Sequence, residues 1–202
     1  TNLTYQAPLV IQQSVITGST TLTDFPVLIT EANIPDDFKD SDLFQSDGGD
    51  IRFFSDSGGV TAIPCEVVSF AGNSTPASAT AEIWVKVPSV SPTVDTSIYM
   101  RRTTGTGHTQ PAVGAAAGRN AVWNGSYVAV WHGDDSTDST GNAHTLTASD
   151  ADATFGGAGK VGDALNLGSS GAATGYFNAA SAADLDNQTA YTWQAWAKIL
   201  TA

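Results

Sequence analysis

The stretch Ala81-Glu82-Ile83-Trp84-Val85-Lys86-Val87 decides the fold class. Along an extended strand successive side chains point to opposite faces. Ile83, Val85 and Val87 therefore share one face, and Glu82, Trp84 and Lys86 share the other. Alternation of this kind marks a half-buried strand, so one face is expected to be core and the other wetter. Comparable runs rich in β-branched and aromatic residues flank it: Leu9 to Ile16, Phe25 to Ile29, Ile51 to Phe54, Ile63 to Phe70 and Ser97 to Arg102. Clusters of Gly, Pro, Asn, Asp and Ser separate them, which is the rhythm of an all-β chain. Helix is expected only as a turn at Pro35-Asp36-Asp37-Phe38-Lys39-Asp40, with Pro near its start and acids in its first turn.

The spacing divides the chain. Residues 1–102 read as an N-terminal β-sandwich. Residues 103–120, rich in Gly, Ala and Thr with Val113 as the one large apolar side chain, read as a linker. Residues 121–202 resume the β pattern, with strands expected at Ser126 to His132, Thr145 to Ala148, Ala164 to Leu167, Ala173 to Phe177 and Thr189 to Ile199. Gly156-Gly157-Ala158-Gly159-Lys160 lacks the phosphate-loop spacing and reads as a turn. Trp193 and Trp196, three apart, would face opposite sides of a strand.

Composition narrows the function classes. A 41% apolar chain with five Trp and eight Phe can offset its ordering entropy and fold. Twenty acidic residues against eight basic give a net charge of −12, and Arg101-Arg102 is the one adjacent basic pair. Nucleic acid and anionic membranes, which are bound through clustered Lys and Arg, are therefore disfavoured. No segment approaches the roughly 20 apolar residues of a membrane helix, so no membrane insertion is expected. Thr1-Asn2-Leu3-Thr4-Tyr5 has no basic start and no apolar run. Removal of a signal before Thr1 and removal of an initiator Met both fit. Cys65 is the single cysteine, which excludes an internal disulfide; between Ile63-Pro64 and Glu66-Val67-Val68 it reads as a small buried thiol.

Two ordered sets of motifs carry a family resemblance. Phe25-Pro26-Val27-Leu28-Ile29, Gly49-Asp50-Ile51-Arg52-Phe53-Phe54, Ile63-Pro64-Cys65-Glu66-Val67 and Ala81 to Pro88 resemble a bacterial and phage domain family of unknown function. The resemblance covers roughly the first 120 residues; its usual closing tyrosine pair appears here only as Tyr99-Met100-Arg101-Arg102. Ala129-Val130-Trp131-His132, Asp138 to Asn142, Gly159 to Leu167 and Tyr191 to Lys198 look like the opening of a concanavalin-A-like or laminin-G-like jelly roll. The resemblance implies a structural or binding role at a virion surface or outside the cell, in places with carbohydrate or calcium ligands, and no catalytic machinery. A jelly roll needs about eight strands. The second unit holds fewer, so the expectation is either a piece of a longer protein or completion by neighbouring chains.

Candidate sites follow from chemistry. Asp134-Asp135-Ser136-Thr137-Asp138 gathers carboxylates of the kind calcium takes, making Asp134, Asp135 and Asp138 the metal candidates; a solvated turn explains the same residues. The loop Asp47-Gly48-Gly49-Asp50 reads more simply as a turn. His108, His132 and His144 lack zinc-site spacing. Among five tryptophans, Trp84 on the polar strand face and Trp123 at the domain junction are the candidates for stacking on a ligand such as a sugar, although core packing is the commoner use. Glu66 and Glu82 stand singly, with no acid pair along one strand for glycoside cleavage. The expectation is a non-enzymatic surface protein, most readily a phage head decoration, fibre or tail-associated component that contacts its own copies or other virion or surface proteins. The alternative is a carbohydrate-binding module of an exported bacterial adhesin or glycan-processing protein, needing no cofactor beyond calcium.

Overall fold

The computed structural model describes residues 2–123, 125–168, 174–186, 188–195 and 197–198. The chain is all-β and forms two compact units, Thr1–Trp123 and Asn124–Ala202. No helix among the described residues is long and apolar enough to cross a membrane.

Seven strands build the first unit: β1 (Thr4–Ile11), β2 (Leu22–Thr30), β3 (Arg52–Phe54), β4 (Ala62–Ile63), β5 (Cys65–Ala71), β6 (Thr80–Val90) and β7 (Thr96–Thr103). They form a four-stranded sheet in the order β1-β7-β3-β4 and a three-stranded sheet in the order β2-β6-β5, antiparallel throughout. One apolar cluster joins the two sheets, with Ile83, Val85 and Val87 of β6 and Ile98 and Met100 of β7 almost wholly buried. Pro8 lies in β1 and Pro26 in β2, both edge strands, where a missing N–H costs no ladder bond. Pairing with β7 sets the limits of β1: Thr4 opposes Thr103 and Ile11 opposes Thr96. The strand expected at Leu9 to Ile16 thus starts earlier and stops at Ile11. Gln13–Val15 turns into a 3-10 helix, with the Gln13 N–H donating to Asp95 Oδ1 at 2.8 Å. The helical turn expected after Pro35 is a 3-10 turn over Asp36–Phe38.

The face of β6 opposite the core is not wet. Glu82 is 4% exposed and Lys86 9%. A short helix, α1 (Arg119–Val122), and Trp123 pack over this side of the β5 and β6 strands. They arrive there because residues 103–120, expected to be a linker, belong to the first unit. Gln45 clamps the His108 peptide with two bonds of 2.9 Å, its Oε1 accepting from the His108 N–H and its Nε2 donating to the His108 carbonyl. Gln110 Nε2 donates to the Gly48 carbonyl at 2.6 Å, an Arg52 Nη2–H donates to the Thr109 carbonyl, and the Cys65 N–H donates to the Ala117 carbonyl at 3.4 Å. Gly49 permits this approach: a Cβ there would lie 2.3 Å from the His108 oxygen. Small residues thus serve close contact with the body of the unit, and the division of the chain falls after Trp123.

Arg102 closes the structure. Wholly buried at the end of β7, it donates from Nε to Asp50 Oδ2 at 2.9 Å and from Nη2 to Asp50 Oδ1. It also donates from Nη1 to the Phe38 carbonyl at 2.7 Å and from Nη2 to the Gln45 carbonyl. The rings of Phe44 and Phe70 each lie 4.8 Å from its guanidinium carbon. Asp50 Oδ2 additionally accepts from the Thr103 N–H at 3.0 Å.

The second unit contains β8 (Leu146–Ala148), β9 (Thr154–Ala158), β10 (Asp163–Asn166) and β11 (Phe177–Ala179). β9 pairs with β10 and β8 with β11, both antiparallel. Phe155 and Phe177 link the pairs, their ring centroids 4.7 Å apart. The glycines read as a turn at 156–160 mostly lie in β9. The reversal comes later, with the Gly159 N–H donating to the Gly162 carbonyl at 3.0 Å. Gly156, at φ 76°, bends β9 without a side-chain penalty. No strand forms over Ser126 to His132, nor over the described part of Thr189 to Ile199; Ala173, Trp196 and Ile199 lie outside the described residues.

Removing one partner of a buried ion pair leaves an uncompensated charge and costs about 3–5 kcal/mol. Asp50→Ala should therefore lower the unfolding free energy of the first unit, read from urea denaturation, by that order. Arg101→Ala, on the partly exposed neighbour, should cost about 1 kcal/mol or less.

Candidate functional site

The two tryptophans singled out as ligand platforms are brought together. Their ring centroids lie 5.1 Å apart with planes tilted by 59°. Trp84 arrives on β6, and Trp123 follows α1, which the Gly118 turn aims at the sheet. A Cβ on Gly118 would stand 2.1 Å from the Ala112 oxygen. Glu66 and Glu82, separate in the sequence, bracket Trp84 in space. Glu66 is its register partner on β5, and Glu82 precedes it by two on the same face of β6. Trp123 donates its indole N–H to Glu66 Oε2, and Trp84 donates its own to Glu82 Oε1 at 3.1 Å. Arg119 Nε stands 3.9 Å from Glu66 Oε1. Trp123 is 5% exposed and Trp84 partly buried, so the pair is chiefly an anchor that fixes the end of the strap formed by residues 103–123 to the sheet. Sequence reading placed Trp123 at an open junction. The signal for its burial was the return of a charged and apolar group, Arg119 to Trp123, directly after a run of small residues.

Cys65 sits on β5, 3% exposed, with Sγ 3.9 Å from Gln110 Oε1. Burial pushes its thiol up to about 12 from an ordinary value of 9.0, because a thiolate there would be stripped of water.

In the second unit Asp138 organises a loop. It is 2% exposed, and its two oxygens accept four hydrogen bonds. Oδ1 takes the N–H groups of Val130 and Thr140, each at 2.9 Å. Oδ2 takes the Thr140 hydroxyl at 2.8 Å and the His144 N–H at 2.9 Å. Trp131 donates its indole N–H to the His144 carbonyl at 2.7 Å. The His144 ring meets Asp184 Oδ2 at 2.9 Å, and this bond holds the Asp184 carboxyl below the usual range. Asp135 accepts the Thr137 N–H within its own turn, and Asp134 is exposed. Asp134, Asp135 and Asp138 therefore do not converge as calcium ligands. Among the described residues no group of three or more His, Cys, Asp or Glu side chains is placed to hold a metal ion. The Asp138 oxygens meet backbone N–H groups and the Thr140 hydroxyl, since a buried carboxylate must be satisfied by donors close at hand.

Comparison with protein-family models, with curated proteins and with solved structures found no match.

A thiol that ionises only near pH 12 should resist a disulfide reagent at pH 8 until denaturant is added. Because the unfolded thiol ionises at its ordinary value, the fold should also lose stability between pH 9.0 and about 12. Asp138→Asn keeps the shape but replaces one acceptor by a donor. It should cost about 2–4 kcal/mol in the second unit and release amide exchange at two or more of Val130, Thr140 and His144.

Proposed function

We propose that the chain is a non-enzymatic structural or adhesion protein of a surface, most concretely an exterior component of a phage virion such as a head decoration, fibre or tail-associated protein. The observation that carries this reading is the use made of its reactive side chains. Asp50, Glu66 and Asp138 are buried and directed at Arg102, Trp123 and backbone N–H groups, and Cys65 is held as a neutral thiol. Groups that could do chemistry are spent on holding loops in place, which is what a scaffold requires. The net charge of −12 supports the same role by keeping exposed surfaces from self-association before assembly. In this reading the second unit is the opening part of a concanavalin-A-like jelly roll. Its partners are further copies of the chain or other surface proteins.

A second reading, a carbohydrate-binding module, draws support from Tyr191 and Trp193. They are 72% and 80% exposed, with ring centroids 6.4 Å apart in an edge-on arrangement. Aromatic faces offered to solvent suit sugar stacking, and with Trp84 and Trp123 turned to anchoring, this pair is the better platform.

The deciding experiment is fractionation of the native source on a density gradient, with the chain followed by mass spectrometry. Co-sedimentation with particles or an envelope surface is the expected result. Recovery solely as a free protein of the cell interior would remove the surface reading. A glycan array probed with and without calcium would separate the second reading, whose binding should fall with Trp193→Ala.

A further inference from the structure

We propose that the outer face of the four-stranded sheet is a docking surface for a second copy of this chain, and that it takes the acidic loop bearing Asp37 and Asp42 of that copy. On β1, β7 and β3 the side chains turned away from the core include Gln6, Tyr99, Arg101, Arg52 and Phe54, and the register sets them side by side. Arg101 has Gln6 on one flank and Arg52 on the other, and Phe54 opposes Tyr99. Gln6 is exposed and the other four are partly so. Arg, Tyr and Phe are the residue types enriched at protein interfaces.

The charge on this face goes against the rest of the chain. With twenty acidic side chains for eight basic ones, carboxylates are in excess. Lys39 pairs with Asp36, Arg102 with Asp50 and Arg119 with Glu66, and Lys86 is buried. Arg52 and Arg101, the first unit's remaining Lys and Arg side chains, pair with no carboxylate among the described residues. Arg52 donates to the carbonyls of Gly49, Ile51 and Thr109. Arg101 donates from Nε to Gln6 Oε1 at 2.6 Å and from Nη1 to the Gly59 carbonyl at 3.4 Å, and the Phe54 ring lies 4.7 Å from its guanidinium carbon. Asp56 belongs to the same turn as Gly59, yet its oxygens accept the N–H groups of Val60 and Thr61. Like charges set opposite each other across a ladder repel. The fold nevertheless holds Arg101 in place: Gly59, at φ 63°, lets the backbone lie against the guanidinium, and a Cβ there would stand 1.8 Å from Arg101 Cζ. Two fixed cations without carboxylates, beside aromatic rings, complement an anionic partner.

The chain supplies such a partner itself. Asp37 and Asp42 are exposed, and among the described residues no hydrogen bond or ion pair engages either carboxylate. Their loop is fixed before any contact, since Arg102 holds the Phe38 carbonyl and Lys39 pairs with Asp36. A preformed loop docks at a smaller ordering cost. The loop packs against Tyr5 through Phe44, and Tyr5 and Gln6, consecutive in β1, point to opposite faces. One copy therefore presents its loop and its arginines on different sides, and the contact runs head to tail. Repulsion between chains of charge −12 is largely screened beyond about 8 Å at physiological salt, whereas charges in contact still attract. This inference rests on the structural role proposed above and names the contact through which copies meet.

The test is sedimentation velocity of the full chain at about 0.15 M salt, over a concentration series reaching about 1 mM. Faster-sedimenting species that grow with concentration are the expected result. Arg101→Glu should weaken association roughly 10-fold or more, and so should Asp37→Lys combined with Asp42→Lys. Arg101→Gln, which removes the charge without reversing it, should act in the same direction to a smaller extent. Urea denaturation checks that each variant is folded. Mixed in equal amounts, the arginine variant and the loop variant should associate where neither does alone, because the intact loop of one meets the intact face of the other. A monomer throughout the series would overturn the proposal, as would association that survives Arg101→Glu, or a mixture of folded variants that sediments no faster than its parts. Sensitivity to Arg101→Glu without sensitivity to the loop variant would overturn it too, by giving the face to a different acidic surface. Recovery of the chain on particles from its native source involves none of these variants, so failure of this contact and failure of the surface reading are told apart.

Discussion

The first unit depends on a charge placed where water cannot reach it. Burying a guanidinium is tolerated only if a carboxylate and further acceptors surround it, and Arg102 has both: Asp50 across a bidentate contact, and the carbonyls of Phe38 and Gln45. Each partner belongs to a stretch without regular strand structure. The long connection from β2 to β3 is thereby bound to the end of β7, and its turns acquire fixed places that their own sequence would not specify. Gln45 then passes the order outward, since the residue whose carbonyl meets Arg102 also uses its side chain to clamp His108. Loop, strand end and strap form one connected set of polar contacts around the apolar core.

The strands of the first unit were legible because burial on one face imposes a period of two, and Ile83, Val85 and Val87 repeat it without interruption. Strand limits were less legible, since pairing sets them: β1 begins at Thr4 because Thr103 lies opposite. The covering of Glu82 and Lys86 was not legible at all. Alternation says that a strand has two unlike faces, and it says nothing about what a distant segment does to the second one. A stretch of Gly, Ala and Thr looks the same whether it floats or lies pressed against a surface, because small side chains suit both.

The candidate site shows the same boundary between local and distant information. Asp138 stood out as an acid in an acid-rich turn, but proximity in sequence could not tell whether its oxygens would face a cation or the N–H groups of Val130, Thr140 and His144. Trp84 and Trp123, chosen for separate reasons, meet each other, and Glu66 completes the set from a strand whose register alone places it there. Sequence identified residues with unusual chemistry, and the fold assigned their partners.

The strap has a mechanical consequence. Thr4 and Thr103 are register partners at one end of the β1 and β7 pair, so tension applied at those two points would open the ladder bond by bond, the weakest way to load a sheet. The chain leaves the first unit at Trp123, which is pinned to β5 through Glu66 and packed against Trp84 of β6. A pull entering through Trp123 therefore meets the indole anchor on the opposite sheet, and then the Gln45 clamp on His108, before it reaches Thr103 at the end of the β1 and β7 zipper.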